Sequence, residues 1–171
     1  MKKRNFLLYS KKVLEHFQNP RNYGKIKNPD GLGKVGNIVC GDVMYLYLKI
    51  GKKKNKEEYI KDIKFQTYGC LAAIASSSIL TQMVKGKTLK EALKIDRKLI
   101  VKKLGGLPPV KIHCSLLATD ALFEAIYDYL KKAKKPIPEF LKRRHKAIQK
   151  EKREIEKRYQ DWIKLEEKLQ K

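Results

Sequence analysis

The chain reads as a mixed helix-and-strand protein whose strands are confined to one hairpin and whose helices occupy the segments around it. Three observations predict this. Residues 42–50 alternate, with Met44, Leu46, Leu48 and Ile50 on one side and Val43, Tyr45, Tyr47 and Lys49 on the other, the period of a half-buried strand. Residues 59–68 repeat the pattern, Ile63, Phe65 and Thr67 against Asp62, Lys64 and Gln66, so the two runs pair as a hairpin across the polar loop 51–58. In residues 71–85 and 113–130 the apolar spacing lengthens to that of a helical face.

The remaining elements follow from caps and breakers. Ser10 can cap a short helix carrying Val13, Leu14 and Phe17 on one face. The Asn, Pro, Gly and Asp residues of 19–24 and 28–33 are turn chemistry, which predicts an irregular chain up to about Lys34. Leu71, Ile74, Ala75, Ile79 and Met83 mark the next helix, and Gly86 stands where a left-handed cap would end it. Thr88 and Glu91 have capping-box spacing for a short helix through Leu93, and Asp96 can cap another through Leu104. After the loop 105–109, the helix over 113–130 presents Leu116, Leu117, Leu122, Ile126 and Leu130.

Lys134-Lys135-Pro136-Ile137-Pro138 reads as a linker between a domain, 1–133, and a basic helical tail, 134–171. Pro138 suits the first turn of a new helix. Apolar residues then recur every seventh position at Leu141, Ile148, Ile155, Trp162 and Leu169, while the companion positions Arg144, Glu151 and Arg158 are charged and only Leu165 is apolar. That seam is too narrow for a coiled coil. It predicts an amphipathic helix that lays a stripe on its own domain or on a partner, with Glu154 and Arg158 as a supporting pair.

Composition sets the outer limits. At 171 residues the chain can bury a full core without disulfides, and its three cysteines and lack of a secretory pattern point to a reducing cytoplasm. No apolar run approaches the roughly 20 residues needed to cross a bilayer. The formal charge of +23 arises from 41 Lys and Arg against 18 Asp and Glu and would attract acidic surfaces. The cations are spread along the chain without interleaved aromatics or a nucleic-acid motif, so a dedicated nucleic-acid role is not predicted.

Chemistry concentrates in few places. His113 and Cys114 sit side by side after the rigid Pro108-Pro109, while Cys40-Gly41-Asp42 and Tyr68-Gly69-Cys70 each set a thiol beside a glycine. Cys40 and Cys70 fall just outside the paired ends of the hairpin, which antiparallel geometry makes neighbours. Cys70 would also lie at the first turn of a helix, where amides and the dipole favour thiolate. Taken singly, each cysteine could be a small core residue; together, at element boundaries and near an acid and an imidazole, they suggest a metal centre. Zinc held by thiolates with Asp42 and His113 is one reading. An iron-sulfur cluster is the other, and three thiols where stable clusters use four would hold it loosely enough to give away.

The chain resembles the IscU-type scaffold for iron-sulfur cluster assembly, also the N-terminal module of NifU. The resemblance covers residues 8–132 and is carried by Tyr9-Ser10-Lys11-Lys12-Val13, Asn19-Pro20-Arg21-Asn22, Cys40-Gly41-Asp42, Thr67-Tyr68-Gly69-Cys70, Ala73-Ile74-Ala75-Ser76-Ser77-Ser78, Val84-Lys85-Gly86-Lys87 and Leu107-Pro108-Pro109-Val110-Lys111-Ile112-His113-Cys114-Ser115. It implies an α+β fold, a three-stranded antiparallel sheet with helices packed against it, the charged helical extension lying outside the family domain. The third strand is expected near Ile38 and Val39 or slightly earlier.

The resemblance also implies a role for each residue: Cys40, Asp42, Cys70, His113 and Cys114 as cluster and metal ligands, Cys114 and then Cys70 as persulfide acceptor, and Lys111 beside them. Leu107, Pro108, Pro109, Val110 and Lys111 match the segment gripped by a dedicated Hsp70-type chaperone, which with its co-chaperone is an implied partner where these exist. The implied cargo is a 2Fe-2S cluster built from iron, with zinc as an occupant of the cluster-free form. The implied partners are a cysteine desulfurase of the IscS/NifS kind, a ferredoxin-like electron donor and apo iron-sulfur proteins. A homodimer is among them too, through the N-terminal segment containing Tyr9. Such a protein is a scaffold or carrier and not an enzyme. Leu71 replaces the small residue usual after the second cysteine, and His113 together with the absence of a long insertion between Ala92 and Leu104 argues against the related SufU type.

Overall fold

The computed structural model describes residues 9–36 and 41–169, except for the side chains of 155, 158, 159 and 161–169. Three antiparallel strands, β1 (Gly31–Gly36), β2 (Val43–Lys52) and β3 (Glu58–Tyr68), form one sheet in the order β1-β2-β3. The alternation in β2 holds at Met44, Leu46 and Leu48, which are fully buried, but Tyr47 on the other face is buried too and Ile50, past an irregularity at Lys49/Ile50, is half-buried. In β3, Ile63 and Phe65 join them. The strands run further into the hairpin than the sequence suggests, leaving 53–57 as the turn, with Lys56 at φ 64°.

β1 corrects the expectation of an irregular chain up to Lys34. Its glycines are packing residues, not turn residues. A Cβ built on Gly31 would lie 2.2 Å from the Ala125 carbonyl oxygen, and one on Gly33 would lie 2.0 Å from that of Ala121. Glycine lets this strand meet a helix backbone to backbone. The third strand is thus the earlier of the two placements expected; Ile38 and Val39 lie outside the described residues.

The helices that cover the inner face are α1 (Lys11–Gln18), α2 (Leu71–Val84), α3 (Leu89–Ala92), α4 (Arg97–Lys103) and α5 (Ile112–Lys132). The starts of α1, α3 and α4 are those the caps predict. Ser10 accepts from the Val13 amide at 3.2 Å, Asp96 from the Leu99 amide at 2.8 Å, and Thr88 with Glu91 closes a reciprocal capping box. The Ser10 hydroxyl also donates to the Leu104 carbonyl, tying the start of α1 to the end of α4. Gly86, at φ 83°, follows α2, and its amide donates to Ile60 in β3 at 2.8 Å. A 3-10 turn, Pro109–Lys111, leads directly into α5.

The tail forms α6 (Glu139–Leu169). Of the sevenfold stripe, Leu141 and Ile148 are buried in the domain's own core, whereas the side chains of Ile155, Trp162 and Leu169, and of Arg158 in the expected pair with Glu154, lie outside the described residues. The contact with α5 is largely polar and aromatic. Arg144 donates to both oxygens of the buried Asp120 at 2.7 and 2.8 Å. His145 stacks on Tyr127 with ring centres 3.8 Å apart and contacts Glu124, which also accepts from Gln149. Phe140 meets Phe123 edge to face. Among the described residues no helix is long and apolar enough to cross a membrane.

Candidate metal centre

Pairing of Val43 with Tyr68 closes one end of the hairpin. The residues immediately beyond, Asp42 before β2 and Cys70 after β3, are therefore neighbours. The Thr67 hydroxyl secures this end by donating to the Val43 carbonyl at 2.8 Å. Gly69 keeps the approach open, since a Cβ there would fall 2.9 Å from the Asp42 carboxyl carbon and 3.1 Å from the Ala73 methyl. Cys70 is the N-cap of α2. Opposite it, α5 packs against β1 and β2 and presents Cys114 in its first turn.

The result is a cluster of three donors. The sulfurs of Cys70 and Cys114 are 3.3 Å apart, too far for a covalent bond. The Cys114 sulfur lies 3.8 Å from an Asp42 oxygen, and one ligand atom from each of the three residues falls within 4.8 Å of the others. Thiolates bound tetrahedrally to one ion at a metal–sulfur distance of about 2.3 Å would stand about 3.8 Å apart. The trio fits such an ion with little movement.

Electrostatics prepare the cluster for a cation. Hydrogen bonding to Cys114, helped by the amides of Ala73 and Ala72 at the start of α2, brings the Cys70 thiol down to about 6, against the pull of burial and of the Asp42 carboxylate. The sequence anticipated the contribution of the helix start but not that of the second thiol, which is larger. Asp42 is only 4% exposed and holds no ion pair among the described residues. A buried carboxylate outside any ion pair is costly. The nearby thiols, Cys70 first, raise the Lys111 ammonium above its ordinary value, so this lysine lies within their field.

His113 precedes Cys114 and does not belong to the close trio. Its Nε2 is nonetheless buried with no hydrogen-bond partner among the described residues, a ring nitrogen available to a ligand. Cys40 lies outside the described residues. Leu107 and Pro108 are half-buried, Pro109 is exposed and Val110 is 73% exposed. Sequence reasoning noted a glycine beside Cys70 but not the specific contact that requires it; the signal was the Tyr68-Gly69-Cys70 triplet itself.

Residues 8–136 match the model of a family described as the NifU-like N terminal domain. The chain is 59% identical over 125 residues to "Iron-sulfur cluster assembly scaffold protein IscU 1" of Archaeoglobus fulgidus, covering 73% of this chain and 78% of that relative. It is 51% identical over 129 residues to the IscU scaffold protein of Buchnera aphidicola from Acyrthosiphon pisum, covering 74% and 98%. Among solved structures, the N-terminal NifU-like protein of Brucella abortus is similar with a TM-score of 0.57 at 25% identity, covering 73% of this chain and 96% of that one.

Proposed function

The chain belongs to the NifU-like N-terminal domain family, and from that membership we propose that it is a scaffold on which an iron-sulfur cluster is assembled and from which it is passed on. The observation that carries this reading is the donor set: two thiols, one with its pKa near 6, gathered with a buried carboxylate that holds no ion pair among the described residues. Thiolates select iron-sulfur chemistry, and a hard oxygen donor exchanges readily. The cargo is a 2Fe-2S cluster. Its ligands are drawn from Cys40, Asp42, Cys70, His113 and Cys114, and the same donors suit zinc when no cluster is present.

Assembly begins with ferrous iron among these donors. The Cys114 thiolate attacks the outer sulfur of a persulfide carried by a cysteine desulfurase; a new sulfur–sulfur bond forms on Cys114 as the old one breaks, and the donor leaves as its thiolate. A pair of electrons from a ferredoxin-like protein, with a proton, then cleaves that bond to return the Cys114 thiolate and release hydrosulfide to iron. Lys111 offsets the negative charge that accumulates. Leu107, Pro108, Pro109, Val110 and Lys111 form the chaperone-binding segment, a reading supported by the exposure of Val110 and the extended backbone of Pro108, at φ −55° and ψ 141°. Residues 1–133 are the scaffold unit and 134–171 an addition docked on it.

The test is anaerobic reconstitution with ferrous iron and sulfide, followed by metal analysis, absorption spectroscopy and incubation with an apo-ferredoxin. Equal iron and sulfide, charge-transfer absorption and delivery to the acceptor are expected. A colourless protein that retains only zinc, or a cluster that never leaves, would sink the reading.

A further inference from the structure

Packed against α2 and α5, α4 carries four cations in its seven residues: Arg97, Lys98, Lys102 and Lys103. The adjoining carboxylate, Asp96, is engaged with the Leu99 amide. None of the four cations has an ion-pair partner among the described residues, whereas Arg21, Lys49, Lys85, Lys132, Lys135 and Arg144 each hold a carboxylate. Three of them, Arg97, Lys98 and Lys102, line a groove of about 580 Å³ together with Val101, Gly105, Gly106 and Ile112. Ile112 is 36% exposed and opens α5 two residues before Cys114. The groove therefore borders the first turn of the helix that carries Cys114.

We propose that this groove docks an acidic peptide segment of a partner protein, one that also presents an apolar side chain to Val101 and Ile112. Charge complementarity gives the sign of the partner: cations without carboxylates of their own attract carboxylates from outside. Concavity and the apolar lining distinguish this place from the many other solvated lysines of the chain, and favour a peptide over a small anion. The lining contains no aromatic ring on which a base could stack, which disfavours a nucleic acid. A partner held here is anchored on the start of the helix that carries Cys114, and binding does not depend on what the centre contains.

The measurement is fluorescence anisotropy on the full, metal-free chain, with a labelled peptide of alternating glutamate and leucine as probe and polyglutamate of the same length for comparison. The triple variant Arg97→Glu, Lys98→Glu, Lys102→Glu alters only exposed positions and should weaken the glutamate–leucine peptide about ten-fold or more, the factor that about 1.4 kcal/mol represents. The equally charged control Lys52→Glu, Lys53→Glu, Lys54→Glu, at the far end of the hairpin, should change it less than about two-fold, since exposed pairs are screened over a Debye length of about 8–10 Å. Val101→Ser should weaken the mixed peptide and leave polyglutamate unaffected. Equal weakening by the two triple variants, or polyglutamate binding as tightly as the mixed peptide, would reduce the groove to generic attraction and overturn the proposal.

Discussion

Two aspartates buried to nearly the same degree have opposite fates in this molecule. Asp42 is 4% exposed and Asp120 is 7% exposed. Asp120 meets the guanidinium of Arg144 through two hydrogen bonds, so its charge is matched within the protein. Asp42 meets two thiols, one of which tends to become an anion itself. The first carboxylate holds a helix in place; the second makes a concentration of negative charge that a metal ion would relieve. The difference lies in the partner supplied, not in burial, and it separates a structural polar cluster from a reactive one.

The contrast can be broken most sharply at the reactive end. Cys114→Ser should abolish persulfide loading by a cysteine desulfurase, seen as loss of the added sulfur mass in anaerobic mass spectrometry; undiminished loading would move the acceptor to Cys70. At the structural end, Arg144→Ala leaves Asp120 buried without its cation and should lower stability by roughly 1–3 kcal/mol in urea at pH 8. This is less than the cost of breaking a fully buried pair, because the guanidinium is 36% exposed and screened by water. Replacing both residues by leucine should recover most of that loss. Asp42→Ala should do the reverse of Arg144→Ala, leaving apo-protein stability within about 0.5 kcal/mol of the parent or above it and lengthening the life of a reconstituted cluster by removing an exchangeable ligand. A shorter-lived cluster would remove Asp42 from that role.

Asp120 also carries a pH dependence. Burial pushes the Asp120 carboxyl up from 3.8 to about 6, against the pull of Arg144. Between those values the folded chain binds the proton more tightly than the unfolded chain. Asp120 therefore contributes stability that is fully present below about pH 4 and is lost as pH rises through about 6. Subtracting the urea midpoints of Asp120→Asn from those of the parent should show this decline, level off above pH 7, and steepen when Arg144 is also replaced. A flat difference would mean that Asp120 titrates as an ordinary carboxyl.

Much of this was legible in the chain because it is encoded locally. Ser10, Thr88 with Glu91, and Asp96 announce helix starts through side-chain chemistry within three residues, and the period of two announces β2, β3 and the hairpin they form; the sequence sets Cys40 beside Cys70 at its paired ends, whereas the described residues show Asp42 there. The features that were not legible depend on contacts distant in sequence. Gly31 and Gly33 carry the same composition signal as a turn, and only the backbone of α5 lying against them makes a strand the better answer. Arg144 occupies the companion position of the seam, where its charge reads only as an interruption of the apolar stripe, and its role becomes evident only when Asp120 is seen beneath it. The orphaned Nε2 of His113 is likewise a property of its surroundings and not of its neighbours in the chain.

The bare strand β1 sets a tolerance for the centre some distance away. With no side chains interposed at Gly31 and Gly33, α5 rests directly on the peptide groups of the sheet, and the height of its first turn above the hairpin is fixed by atomic contact, without a cushion of rotatable carbon. One methyl group at Gly33 would act as a shim, lifting the helix and with it the sulfur of Cys114 away from that of Cys70. The spacing of the two thiols is in this sense gauged by a residue that touches neither.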